Sequence, residues 1–162
     1  MSAVLSPGDT VPDLSLPLTG GEVLTPDALK GRWTVLYFYP KDDTSGCTKE
    51  AIAFTELAEA FAEAGAVVIG ISKNTLAEHD KFIAKHELGV KLGSDADGDL
   101  VERFGFWVEK SMYGRKYWGI ERATVLIDPE GQVAEVWRKV RVTGHAEAVL
   151  KALRAKIAAR EG

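Results

Sequence analysis

An α/β fold with a mixed central sheet flanked by helices is predicted by three features of the sequence. Trp33 to Tyr39 is a nearly continuous apolar, aromatic and β-branched run, the pattern of a strand covered on both faces. A helix-forming stretch and a second buried run, Ala66 to Ile71, follow it, which fits a parallel crossover. Later, Arg122 to Ile127 and Gln132 to Trp137 flank the tight turn Asp128-Pro129-Glu130-Gly131. So short a link demands an antiparallel pair, and the sheet is therefore mixed.

The remaining elements follow in order. Gly8 to Leu18 carries Pro12 and Pro17 and reads as an extended arm with turns. Gly20-Gly21 suits a hairpin turn ahead of Glu22-Val23-Leu24. Thr25-Pro26 reads as an N-cap and first helical residue, opening a short helical turn through Leu29. A helix is predicted over Thr48 to Ala64, with Ile52, Leu57 and Phe61 on an apolar stripe, Phe54 nearby and Gly65 as its stop. A second helix, Thr75 to Glu87, is capped by Asn74 or Thr75 and ends near Gly89. A short strand around Val90 to Leu92, a helix from Asp97 to Phe104 and a last helix from Gly144 to Arg160 complete the order. Gly105 to Gly119 is the least regular part. Its Phe106, Trp107, Met112, Tyr113, Tyr117 and Trp118 suit core filling, a mobile lip over a site, or an oligomer contact.

A chain of 162 residues suits one domain spanning residues 1–162. A net charge of −4 without a basic block argues against a nucleic-acid partner. No apolar stretch approaches the roughly 18 residues that span a membrane. The first residues lack the charged and apolar regions of a secretory signal. One cysteine allows no internal disulfide and no Cys-x-x-Cys pair. A cytoplasmic setting with no membrane partner is the expectation. His79, His86 and His145 are dispersed, and the Asp95-to-Asp99 run places Phe106 where a calcium loop needs glutamate. No metal or other cofactor is expected. Gly144-His145 reads as a helix cap without chemistry.

The one thiol, Cys47, lies where the strand pattern stops and the helix pattern starts. A cysteine in the first turn of a helix sits among free backbone N–H groups at the positive end of the helix dipole, and both favour thiolate over thiol. Thr44, three residues earlier, can offer a hydroxyl to the sulfur or to its reaction partner. Pro40 fixes the chain leaving the strand and can shield the thiolate from water. The competing reading, a small buried hydrophobe, is weakened by the polar turn residues around the thiol.

The segment Tyr37 to Ala51, YFYPKDDTSGCTKEA, closely resembles the active-site segment of peroxiredoxins, in particular the bacterioferritin-comigratory, or Q-type, subfamily. Pro40, Thr44 and Cys47 match the family motif in full. Further matching stretches are GDTVPDLSL, VIGIS, HDKF, ERATVLIDPEG and VWRKVRVTGHAEAVL, so the resemblance runs nearly end to end. Ser45 stands where the subfamily usually has proline.

The resemblance implies a thioredoxin-like fold and thiol-based reduction of hydrogen peroxide and organic hydroperoxides. Cys47 would attack the peroxide and become a sulfenic acid. Thr44 would hydrogen-bond the peroxide. Arg122 would hold the thiolate and stabilise charge in the displacement; its alternative is a surface ion pair with Glu121. Glu50 matches a family glutamate and would either orient Arg122 or cap the helix. At the two positions where two-cysteine members carry a resolving thiol, this chain has Ile52 and Ile83. An external thiol such as thioredoxin, glutaredoxin or glutathione is therefore the expected reductant, with the protein a monomer or weak homodimer. The alternative is a thioredoxin-fold redox sensor or binding module whose peroxidase activity has lapsed.

Overall fold

The computed structural model describes residues 5–161. The arm carries two short antiparallel strands, β1 (Leu16–Pro17) and β2 (Val23–Leu24). The turn between them includes Gly20 and Gly21, both at positive φ. A 3-10 turn over Pro26–Leu29 follows, with Thr25 at its N-cap. β3 (Trp33–Phe38) then crosses the middle of the molecule with all six residues buried. Trp33, Val35 and Tyr37 face one core, Leu36 and Phe38 the other, as the period of a strand requires.

The predicted helix over Thr48 to Ala64 is two helices, α1 (Ser45–Glu56) and α2 (Ala58–Glu63). α1 begins three residues early because the helix follows directly on Thr44, its extended N-cap, with ψ 157°. It ends because the Leu57 N–H bonds to the Phe54 carbonyl, a tightened last turn that breaks the α-helical register. β4 (Ala66–Ser72) leads to α3 (Leu76–His86), where Thr75 and Glu78 form a reciprocal capping box. β5 (Lys91–Ser94) is followed by α4 (Leu100–Arg103), much shorter than the predicted Asp97 to Phe104. The Asp95 carboxylate accepts from the Leu100 and Val101 N–H groups at 3.1 and 2.9 Å. It thereby satisfies the helix start at Leu100 and leaves 95–98 as a turn.

Gly105 to Gly119, predicted to be irregular, is largely a regular hairpin. β6 (Trp107–Met112) pairs with β7 (Arg115–Ile120), from Trp107 opposite Ile120 to Met112 opposite Arg115. Tyr113 and Gly114 connect them with φ 53° and 78°, the left-handed pair that matches the twist of a two-residue hairpin. Phe106 is buried, but Met112, Tyr113, Tyr117 and Trp118 are exposed, so core filling does not account for them. β8 (Ala123–Ile127), β9 (Val133–Trp137) and α5 (His145–Glu161) complete the chain.

The five-stranded sheet has the order β5-β4-β3-β8-β9. β3, β4 and β5 are parallel; β8 and β9 join antiparallel. This is the predicted mixed sheet. Side chains of α1, α2, α3 and α5 fill one core, while α4, the N-terminal arm and the root of the hairpin fill the other. The helices are thus divided four to one between the faces.

Candidate active site

The site forms where β3 hands the chain to α1. Pro40 is half-buried at the start of the connecting loop, Thr44 is the N-cap of α1, and Cys47 is its third residue. The thiol therefore lies in the first turn, and it is only 1% exposed. Arg122 reaches it through sheet register. β8 pairs with β3 so that Ala123 lies opposite Phe38, which sets Arg122 beside the end of β3, above the start of α1.

The guanidinium makes two contacts. Nη2 donates to Cys47 Sγ at 3.3 Å, and Nη1 donates to Glu50 Oε1 at 2.7 Å. Burial disfavours the charge on Arg122, but Glu50 and Cys47 outweigh it and hold the guanidinium more firmly protonated than usual. Of the two readings of Glu50, the contact present is the one to Arg122. Arg122 makes no ion pair with Glu121, which is held instead by two bonds from Arg138 at 2.8 and 2.6 Å. Sequence reading also passed over Gly46. A Cβ there would lie 3.2 Å from Arg122 Nη2, so the absent side chain makes room for the guanidinium.

Thr44 is exposed, and its hydroxyl donates to the Lys41 carbonyl at 2.9 Å. The structure thus brings Cys47, Arg122 and Glu50 into direct contact and sets Thr44 and Pro40 on the loop that leads to them. Ile52 lies at the surface, Ile83 packs partly buried against the helical core, and Cys47 is free.

Two titratable groups border the site with opposite shifts. Burial pushes the Glu50 carboxyl up to about 7, offset only in part by Arg122. His145 begins α5 as predicted, but it is no mere cap. Its Nε2 lies 2.8 Å from Thr124 Oγ1. Burial, aided by the Arg122 charge, pushes it down to about 4, so the imidazole is neutral at pH 7.

For Glu50 the folded state holds a proton more tightly than the unfolded chain. Its stabilising effect is complete below pH 4.5 and is lost as pH rises through 7. The sum over that window is about 3 kcal/mol. Glu50→Gln is therefore expected to match the parent's Tm at pH 4.5 and to gain on it progressively towards pH 8. Thermal melts across that range check the sign.

A cavity of about 530 Å³ lies elsewhere, between the arm, the start of α3 and the loop before α4. It holds no thiol, and its buried acid, Asp95, is already committed to backbone N–H groups and to Lys73 at 3.2 Å. Among the described residues no group of three possible metal ligands occurs, and no helix is long and apolar enough to cross a membrane.

Comparison with known proteins matches residues 7–136 to the AhpC/TSA family. The chain belongs to that family. It is 50% identical over 143 residues to Peroxiredoxin Bcp of Xanthomonas campestris pv. campestris, covering 88% of this chain and 89% of the relative. The Xylella fastidiosa PrxQ structure, a cysteine-to-serine variant, superposes with a TM-score of 0.89 at 39% identity, covering 97% and 99% of the two chains. Structures of the Xanthomonas campestris bacterioferritin comigratory protein, concerned with its alkyl peroxide reduction activity, match with a TM-score of 0.85 at 46% identity over 96% and 99%. The chain is thus a Q-type peroxiredoxin with a thioredoxin-like fold, a thiol-dependent peroxidase that lacks a resolving cysteine.

Proposed function

We propose that Cys47 is the peroxidatic residue and works by a one-cysteine route on hydrogen peroxide and organic hydroperoxides. The observation that carries this reading is the 3.3 Å contact from Arg122 Nη2 to the sulfur. The thiolate attacks one peroxide oxygen, the O–O bond breaks, and the departing oxygen leaves as water or alcohol after taking up a proton. Sulfenic acid remains on Cys47. Arg122, held by Glu50, faces the charge that moves from sulfur to leaving oxygen, where a fixed cation helps most. Thr44 supplies a hydroxyl for the peroxide, and Pro40 sets the loop that carries it.

An external thiol then attacks the sulfenic sulfur and releases water, forming a mixed disulfide that a second thiol reduces. Thioredoxin, glutaredoxin or glutathione would serve. A monomer or weak homodimer of one domain, residues 1–162, in a reducing cytoplasm suits a chain whose one thiol is free. Mass analysis under non-reducing conditions, after one equivalent of peroxide, tests the route. Monomer-mass sulfenic or sulfinic acid is expected without glutathione, and a mixed disulfide with it. A dominant covalent dimer in both samples would make a second Cys47 the resolving thiol and overturn the reading.

A further inference from the structure

We propose that Asp42 and His79 form a proton-carrying clasp that positions the active-site loop, which makes them positioning residues for the oxidation of Cys47. The proposal rests on the peroxidatic role of Cys47. Asp42 stands between Pro40 and Thr44, and its side chain is 6% exposed. Both of its oxygens are engaged: Oδ1 accepts from the Tyr39 hydroxyl at 2.6 Å, and Oδ2 lies 2.7 Å from His79 Nδ1. His79 is fully buried, and its Nε2 lies 2.9 Å from the Gly93 carbonyl. A neutral imidazole carries one N–H. Here both ring nitrogens face acceptors, an arrangement whose contacts are all met when the ring carries two protons and pairs with an Asp42 carboxylate. The other groups facing it are the Tyr39 hydroxyl, 3.4 Å from Nδ1, and exposed Glu78 beside it on α3, engaged by Thr75 and Asn74.

One ring therefore ties three elements together: the active-site loop, α3 and the β5 backbone. A buried ion pair is a poor source of stability compared with apolar packing, and what it provides here is position. The rest of the loop is fastened to match. The Asp42 N–H donates to Asn74 Oδ1 at 2.9 Å. Asp43 has a left-handed backbone, φ 61°, and is gripped by Lys85 and His86 from the end of α3 at 2.6 and 2.8 Å. Such a backbone persists in a non-glycine residue when its surroundings hold it. The Thr44 hydroxyl, bonded to the Lys41 carbonyl, makes residues 41–44 one unit that ends at the first turn of α1. When the clasp slackens, Thr44 and Cys47 shift against Arg122, and a displacement of about 1 Å is enough to cost on the order of a hundredfold in rate.

Asp42→Asn separates this role from mere bulk. Its amide oxygen can accept from Tyr39 while its amide nitrogen donates to a neutral Nδ1, leaving Nε2–H for Gly93. Asp42→Ala loses both bonds. In stopped-flow oxidation of Cys47 by peroxide, Asp42→Asn is expected to stay within about threefold of the parent and Asp42→Ala to slow at least about tenfold, with circular dichroism unchanged. Nitrogen-15 spectra at pH 7 should show protons on both ring nitrogens of His79 in the parent and on Nε2 alone in Asp42→Asn. Parent-like oxidation of Asp42→Ala, Asp42→Asn as slow as Asp42→Ala, or a neutral His79 in the parent would each overturn the clasp. The spectra decide it even where Asp42→Ala does not fold. Failure of the Cys47 assignment looks different, because the parent itself would then not oxidise.

Discussion

Cys47→Ser is expected to abolish peroxide consumption with any thiol reductant, a loss on the order of a thousandfold or more, because a hydroxyl is hardly ionised at neutral pH and is a weak nucleophile without an activating base. The fold should survive. The side chain is 1% exposed, and serine is nearly isosteric and can accept the Arg122 Nη2–H that now points at sulfur. The cost of burying the extra polarity is about 1 kcal/mol. Coupled peroxide consumption and a thermal melt together separate lost chemistry from lost structure. Turnover by the folded serine variant at the parent's rate would contradict the assignment of Cys47.

Arg122→Ala carries the second large effect. It removes the donor to sulfur at 3.3 Å and the partner of Glu50 at 2.7 Å in one change. Loss of a preorganised charge that faces the reacting atoms costs on the order of 10²–10³ in rate. Leaving a buried carboxylate unpaired commonly costs about 3–5 kcal/mol. Here the cost should be smaller, because the Glu50 carboxyl, already pushed up to about 7, can take up a proton once Arg122 no longer opposes it. Arg122→Lys should recover little of the rate, since one ammonium on a flexible stem does not reproduce a planar fork aimed at two partners. Stopped-flow oxidation rates and urea unfolding at pH 6 and 8 measure both consequences. The stability lost on Arg122→Ala should be greater at pH 8, where keeping Glu50 neutral is harder.

Which features were legible in sequence depends on how local their causes are. β3, β4, β8 and β9 were readable because continuous β-branched and aromatic runs with a four-residue turn leave few alternatives. The β6–β7 hairpin was not, because aromatic side chains lie on both of its faces and hide the period of two, although Tyr113-Gly114 marks its turn. The break between α1 and α2 is made by one backbone hydrogen bond at Leu57, which leaves no pattern in residue type. At the site, Pro40, Thr44 and Cys47 fall within eight consecutive residues of one loop and helix start, so a motif carries them. The geometric partnership of Arg122 with Glu50 and Cys47 arises from the register of β8 on β3. The Asp42–His79 contact spans 37 residues and needs α3 to be docked, and Gly46 matters only through the guanidinium placed over it. Neither could be read from the chain alone.

The most direct test of the central claim, that Cys47 is a thiolate activated by Arg122 for attack on peroxide, is a single-turnover oxidation. Reduced protein is mixed with one equivalent of hydrogen peroxide, quenched at intervals from milliseconds to minutes, and analysed by mass spectrometry at Cys47. The expected result is the addition of one oxygen to Cys47, far faster than to free cysteine under the same conditions. A thiol that stays reduced, or that oxidises no faster than free cysteine, would contradict the account and favour a redox sensor or binding module built on the same fold.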